Sequence, residues 1–563
     1  MALSAATAGA QTMFDGLTYS QNNYYGTARS IGMGNAMTAV GGDLGSVGIN
    51  PAGSAVAGYS QFTITPNLTI SAMNASYSAY PVGGVDKFTN ETSKTLTRFS
   101  MPNFGLTFNW DTGSRSGLTS VTYGIIVNGT NNYTGQMLGG GQNDRTSYLS
   151  WMAVNAGDYD IDFLNGYRDA QGNTIDSWDN AYYNADDRGY YAPWTAIANA
   201  QAGAISNYGD VNDPDYYWRY IGATESFGYR KDEDGDYMED ERGNYIYDIN
   251  LPGKLNQAYG RKVTGSKRDV IANLGLNFDQ KFFLGFNLGI TSLRRDYDEY
   301  FKEAAANPEN FPVEFESGKT CFSDYRTRYS LTAEGSGVYG KVGFIFRPMD
   351  GVTIGAAAQS PTVLEITERY MHDVNVNYTN STFNGSAQTP EGTYTYKLRT
   401  PYRLNAGMAF TFSGMALLSV DYEMTDYSKM KFISKDSWDE TFDAVNDDIA
   451  DCMGISHTVR VGAEFKPTPE TAIRAGYNFT TTPEYVYNNG YYDSTLHDRL
   501  HAFSVGLGYS STGSFFADLA ARMTLLADEY ISPYADYLTD VASPLILNKR
   551  NIFNVTATFG WRF

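Results

Sequence analysis

Few stretches of this sequence carry side chains whose type and spacing could do chemistry. Asp232, Asp234 and Asp236 flank Glu233 and Gly235, and Glu239, Asp240 and Glu241 follow. Clustered carboxylates beside a glycine turn suit Ca²⁺, which takes about six to eight oxygen ligands. The spacing departs from the EF-hand loop, so the same residues also describe a solvated acidic hairpin. His497 and His501 are four apart, but at the start of a strand they share no helical face, and no metal site is expected of them. Gly139-Gly140-Gly141 reads as a loop hinge and not as a phosphate loop, because no Lys-Ser/Thr pair or helix follows it. Asp421, Glu423, Arg460, Glu464, Arg474, Asp518 and Arg522 look catalytic when taken as a set. On alternating strands, however, they fall on one side, where charged networks brace a narrow barrel from within. No Ser/His/Asp constellation stands out. The chain reads as a protein that is not an enzyme, with no cofactor unless the acidic segment holds calcium.

The elements that place these residues are strands. Asn551 to Phe563 (NIFNVTATFGWRF) puts Phe553, Val555, Ala557, Phe559, Trp561 and Phe563 on one side. Ile552, Asn554, Thr556, Thr558, Gly560 and Arg562 fall on the other, because strand side chains repeat with period two. An apolar side for lipid, a small polar side for a lumen and aromatics at the interface describe a membrane barrel strand. The same period recurs from residue 58 onward, as in Phe104, Leu106, Phe108 and Trp110, or Phe282, Leu284, Phe286, Leu288 and Ile290. Fourteen such strands are counted, an even number, and their connections alternate between very short and long. That parity predicts an all-β fold: a 14-stranded antiparallel transmembrane β-barrel with short periplasmic turns and long extracellular loops. The long segments fall at about 79–94, 135–263, 303–324, 373–391, 431–456, 484–497 and 531–547. Cys321 and Cys452 lie in two different outer loops, and a disulfide between them is expected.

Composition agrees. The chain holds 45 Tyr, 31 Phe and 57 Gly, and charged residues are only 18%. No run of about 18 apolar residues exists, which excludes membrane-spanning helices and leaves strands. A net charge of -21 argues against nucleic acid and fits acidic solvated loops. Residues 1–10 look like the end of a signal peptide, with a small-x-small site at Ala8-Gly9-Ala10 and cleavage before Gln11. Residues 11–57 do not alternate and are dense in small side chains, so they predict a compact hatch inside the barrel, 58–563. The Ser30–Ala39 stretch could form a short helix, and Pro51 stiffens an extended turn.

The hatch segment GTARSIGMGNAMTAVGGDLGSVGINPAG (26–53), with Asn50, Pro51, Ala52 and Gly53, resembles the N-terminal hatch of the FadL/OmpP1/TodX family of outer-membrane transporters for hydrophobic compounds, in the versions found in Bacteroidota especially. Met101–Gly105, the stretch from Gly335 to Pro361 and the aromatic C-terminus are similar to the family as well. The resemblance implies a bacterial outer-membrane location and passive uptake of a hydrophobic small molecule or fatty acid. The molecule would be captured at the outer loops, pass to a pocket at the hatch N-terminus and leave through a lateral opening at a kinked third strand. Asn50, Pro51 and Ala52 would shape the hatch, and Gln11, Thr12, Met13 and Phe14 would begin a movable gate. Phe563 resembles the signal by which barrel-assembly machinery recognises its clients.

The segment 135–263 departs from the family by its length and its acidic, Tyr-rich composition. Trp151, Trp178, Trp194 and Trp218 within it are either anchors for other outer-membrane proteins or the core of a self-packed lid. The alternative function is therefore a non-transporting accessory or scaffold subunit of a multi-protein outer-membrane complex, in barrel assembly or secretion.

Overall fold

The computed structural model describes residues 12–563 except 80–87, 158, 169–173, 179–191, 210–215, 233, 239–245, 316, 436–441, 489–490, 494–497 and 535–540. The expected signal peptide, Gln11 and His497 lie outside the described residues. The wall is built of fourteen antiparallel strands in chain order. They are β1 (Gln61–Ser78), β2 (Thr89–Asp111), β3 (Leu118–Asn132 and Gly135–Asn143), β4 (Leu255–Phe278), β5 (Phe282–Ala305), β6 (Gly318–Met349) and β7 (Val352–Gln359 and Val363–Tyr378). There follow β8 (Gly392–Arg399 and Arg403–Phe412), β9 (Ala416–Asp426 and Lys431–Ser434), β10 (Ile455–Phe465), β11 (Thr471–Thr481), β12 (Asp498–Ser510), β13 (Phe515–Leu526) and β14 (Leu545–Arg562).

β14 pairs with β1 in a continuous register from Gln61↔Arg562 to Ser78↔Leu545. Ser60 and Phe563 exchange backbone hydrogen bonds at 3.2 and 3.0 Å, so the sheet has no free edge at its seam. The alternation inferred for the last strand holds: Phe553, Phe559 and Trp561 are exposed, while Asn554, Thr556 and Thr558 are buried. Exposed Leu274, Phe286, Leu288, Ile290, Val342, Met408, Val420, Val505 and Leu519 continue that apolar belt around the wall. Trp110, Phe412, Trp561 and Phe563 sit at its short-turn rim. The short connections are 112–117, 279–281, 350–351, 413–415, 466–470 and 511–514, all at the end of the barrel that carries Gln61 and Phe563. Strand exteriors of this kind belong in lipid, and both ends of the wall on the short-turn side mark the opposite, long-loop side as the outer one.

On that outer side the strands run further than alternation suggested. β5 and β6 continue as a paired ladder up to Ala304↔Asp324, so the segment 303–324 is mostly strand. The exposed ion pairs there, Arg294 to Asp296 at 3.0 Å and to Glu334 at 2.6 Å, show that this part of the wall stands in water. Residues 135–143 and 255–263, expected as the ends of a loop, pair with each other as upper β3 and β4.

Within the barrel, residues 12–57 form the hatch: helices Met13–Ser20 and Ala28–Gly32, then 3-10 turns Ser46–Gly48 and Pro51–Ser54. The short helix falls at the start of the small-residue stretch. Pro51 is not part of an extended turn: it opens a 3-10 turn that Asn50 caps, its Oδ1 accepting the Ala52 amide at 3.1 Å.

Candidate functional site: a chamber between hatch and lid

The hatch seals the lower barrel because the inner wall is fitted to its backbone. Asn50 donates to the Thr38 carbonyl at 2.7 Å and to the Phe344 carbonyl of β6 at 3.0 Å. Asn273, Asn287 and Lys341 donate from β4, β5 and β6 to the carbonyls of Pro51, Val47 and Gly48. Where the chain passes closest, the wall is glycine: a Cβ on Gly285 would lie 2.2 Å from the carbonyl carbon of Pro51, and one on Gly343 2.2 Å from Asn50 Oδ1. The charged set seen in the sequence is gathered here. Glu464 accepts from Arg29 of the hatch at 3.0 Å and from Arg474 at 2.6 Å, and Arg474 reaches Asp518 at 2.6 Å. Asp421 accepts the Thr38 amide at 2.6 Å, and Glu423 is held by Arg460 at 2.8 Å. These groups brace the wall and hold the hatch. Asn273, Asn287 and Lys341, equally involved, lacked a signal beyond their lumen-side parity.

Above this seal lies a chamber of about 1260 Å³. Its floor is the upper hatch. Thr12, which caps the first helix by accepting the Asp15 amide, lines it with Phe14, Leu17 and Asn22–Tyr25. Met13 packs instead against a buried cluster around Leu398 and Phe432. The guanidinium of Arg460 lies 5.2 Å from the Tyr24 ring, and that of Arg522 lies 4.8 Å from the Tyr25 ring.

The roof comes from the segment between upper β3 and β4. Helix Tyr148–Ala156 and helix Trp194–Gln201 pack with Phe301, Tyr325 and Tyr534. Tyr148 contacts Tyr325 and Phe301 at 5.6 Å between centroids and Tyr534 at 5.8 Å. The roof is latched at Glu303, a fully buried carboxylate that accepts from Ser147 Oγ at 2.7 Å, the Tyr148 amide at 2.8 Å and Gln257 Nε2 at 2.7 Å. Glu303 stands well above the apolar belt, and burial pushes its carboxyl up to about 7 although these donors favour the charged form. Trp151 and Trp194 are buried in the roof and Trp178 packs on Trp194, whereas Trp218 is exposed. The lid reading therefore accounts for three of the four tryptophans.

Beside the chamber the wall is broken. β2 and β3 pair from Asp111↔Ser120 up to Asn103↔Asn128 and no further. Above that point β2 keeps its partner β1, from Asn67↔Ser100 to Tyr77↔Thr89, and β3 keeps its partner β4. β3 itself is interrupted at Tyr133-Thr134. The hatch covers the freed edge: Tyr25 donates to the Gly129 carbonyl and Asn23 to the Thr130 carbonyl, both at 2.7 Å. Asn131, Asn132, Tyr133 and Gly135 of that edge also line the chamber. Further up, β3 slips inside β1, and the glycines read as a hinge prove to be strand. A Cβ on Gly139 would meet Ile546 at 2.9 Å, and one on Gly141 would meet the Tyr77 ring at 2.4 Å. Face-to-face contact that close admits no side chain.

The remaining candidates are not gathered at this site. Asp232 Oδ1 accepts the amides of Asp234 and Asp236, each at 3.0 Å, so its carboxylate shapes an exposed hairpin. Among the described residues no three His, Cys, Asp or Glu side chains are placed to hold a metal ion. The disulfide expected between Cys321 and Cys452 is not formed. Cys321 sits in the β6 ladder, opposite Pro312, and Cys452 ends a helix, Asp443–Cys452, that packs beside β9.

A scan of protein-family models finds no match to this chain, and a search of curated proteins finds none either. Among solved structures, a Pseudomonas aeruginosa FadL homologue superposes at a TM-score of 0.46 and 13% identity, over 96% of this chain and 99% of that one. The P. putida toluene transporter TodX gives 0.45 and 10% over 95% and 98%, and the Ralstonia pickettii toluene transporter TbuX gives 0.42 and 12% over 95% and 98%. Likeness at this level leaves what this chain carries to its own geometry.

Proposed function

We propose that this outer-membrane barrel lets hydrophobic small molecules pass from the outer side into the membrane by a lateral route. The observation that carries the reading is the break between β2 and β3, which opens the wall beside a chamber whose floor is sealed by the hatch. A solute that prefers lipid to water gains nothing from an aqueous pore, and a side exit delivers it to the phase that stabilises it. The axial path is blocked by backbone packed against backbone, whereas the freed edge is held to the hatch by hydrogen bonds from Tyr25 to Gly129 and from Asn23 to Thr130 and Asn131. The upper hatch, from Thr12 to Tyr25, is then the moving part: shifting it would uncover the break and the chamber floor together.

Deleting the chain from its host and restoring it tests this reading. Uptake of a labelled monoaromatic hydrocarbon or long-chain fatty acid should fall on deletion and return on complementation, with other envelope proteins at normal levels. Unchanged uptake of both solutes would overturn it.

A further inference from the structure

At the outer rim of the belt, on the β7–β9 side, the wall carries cations set against one another. Arg399 of β8 faces Lys431 of β9 in direct register. Like charges opposed across a ladder destabilise it unless something neutralises them. Lys397 and Lys429 stand two residues from them, on the same outward side or in the adjoining turn, and Arg399, Lys429 and Lys431 are exposed. Other cations on the outer side have carboxylate partners, as where Arg294 and Arg369 share Glu334 and Lys549 meets Asp528. The helix Asp443–Cys452 beside β9 carries exposed aspartates, none of them in an ion pair with the four cations, and two other acids are engaged otherwise. Glu365, opposite Lys397, is bridged by Lys435 at 3.3 Å, and Asp426 accepts from Ser428 Oγ at 2.6 Å and its amide at 3.2 Å. Among the described residues none of the four cations has an ion pair, in a chain whose net charge is -21.

Their height is fixed by the strands beside them. Arg399 pairs on its other side with Val363, an exposed belt residue that itself pairs with exposed Val338. Ile433 opposite Lys397 is exposed too. The cations thus project where acyl chains end and headgroups begin, with exposed Leu404 of β8 and Tyr422 of β9 on the lipid side of them.

We propose that Lys397, Arg399, Lys429 and Lys431 form a binding site for the phosphate-bearing headgroup of an outer-leaflet lipid. The inference needs only the membrane placement of the belt and is independent of what the chamber carries. A phosphate group accepts several charge-assisted hydrogen bonds and relieves the Arg399–Lys431 opposition, while the lipid's acyl chains lie along Leu404 and Tyr422.

Native mass spectrometry of the full chain in detergent, offered bis-phosphorylated lipid A or its dephosphorylated form, tests the site. The quadruple variant K397Q/R399Q/K429Q/K431Q should retain the phosphorylated lipid roughly tenfold less well than the parent, or worse. The dephosphorylated lipid should not distinguish the two. A control variant, K281Q/K466Q, which removes two cations from the short-turn rim, should behave as the parent, and gel shift on heating confirms that each variant is folded. Equal retention by parent and quadruple variant would overturn the site. So would equal retention of the two lipids by the parent. Displacement of the lipid by inorganic phosphate alone at equal concentration would assign the cations to free phosphate and overturn the lipid.

Discussion

Arg474 joins two carboxylates of the lumen network, Glu464 and Asp518. Replacing it by Met should destabilise the barrel by about 3–5 kcal/mol, because Asp518 is left buried without its guanidinium. Urea unfolding in detergent micelles would measure this, and a loss under ~1 kcal/mol would show that the lumen network is wet enough not to need it. Glu303 gives a second residue-scale prediction. Its carboxyl is at about 7 when the roof is docked, against an ordinary value of 4.5. The docked state therefore holds the extra proton, and the contribution to docking is fully present below about 4.5, weakens as pH rises and is lost above about 7. Amides of the Tyr148–Ala156 helix should exchange faster at pH 8 than at pH 5.5 after correction for intrinsic rates, and Glu303→Gln should flatten that dependence. These residues differ in legibility. Glu464, Arg474 and Asp518 could be assigned to the lumen from the sequence, because parity along a strand decides the side. Glu303 could not, since its partners Ser147, Tyr148 and Gln257 belong to segments whose meeting no local pattern records.

The strands below the outer rim could be read from their period alone, since lipid on one side and a packed hatch on the other enforce strict alternation. Above the rim that contrast disappears. Glu303-Ala304-Ala305-Ala306-Asn307-Pro308-Glu309-Asn310 shows no alternation, so the top of the β5–β6 ladder, within 303–324, looked like loop. Upper β3 hid for another reason: Gly139 and Gly141 are glycine because Ile546 and Tyr77 press on them, and those belong to distant strands. Gly141→Leu should therefore displace upper β3 from β1 at a cost of about 1–3 kcal/mol, because the Tyr77 ring is 2% exposed and has no room to retreat. Raised hydrogen exchange confined to 135–143 and its β4 partners would confirm the layering. Wild-type exchange there would argue that the two layers are not in contact.

For the whole molecule, closure at the seam is the condition for living in lipid. Phe563 supplies its last backbone bonds to Ser60 and packs at 6.1 Å from Phe108. Removing it takes away little buried surface, since the residue is 63% exposed. Its loss should reduce the amount of folded barrel in the membrane more than it lowers the denaturation midpoint of what does fold. Normal membrane levels would count against a role in assembly. The hatch, the chamber and the wall break adjoin one another, and the proposed lateral route turns on the contact between Tyr25 and Gly129.

That contact can be locked. A Cβ on Gly129 would lie 3.2 Å from the Tyr25 Cβ, close to the separation of about 3.5–4.5 Å that a disulfide needs, so Tyr25→Cys with Gly129→Cys should cross-link the hatch to the broken wall. Passage of a labelled hydrophobic solute into the membrane is then measured with the double variant oxidised and again after reduction. Passage blocked when oxidised and restored on reduction is the expected result. Equal passage in both states would contradict a lateral route gated by the hatch.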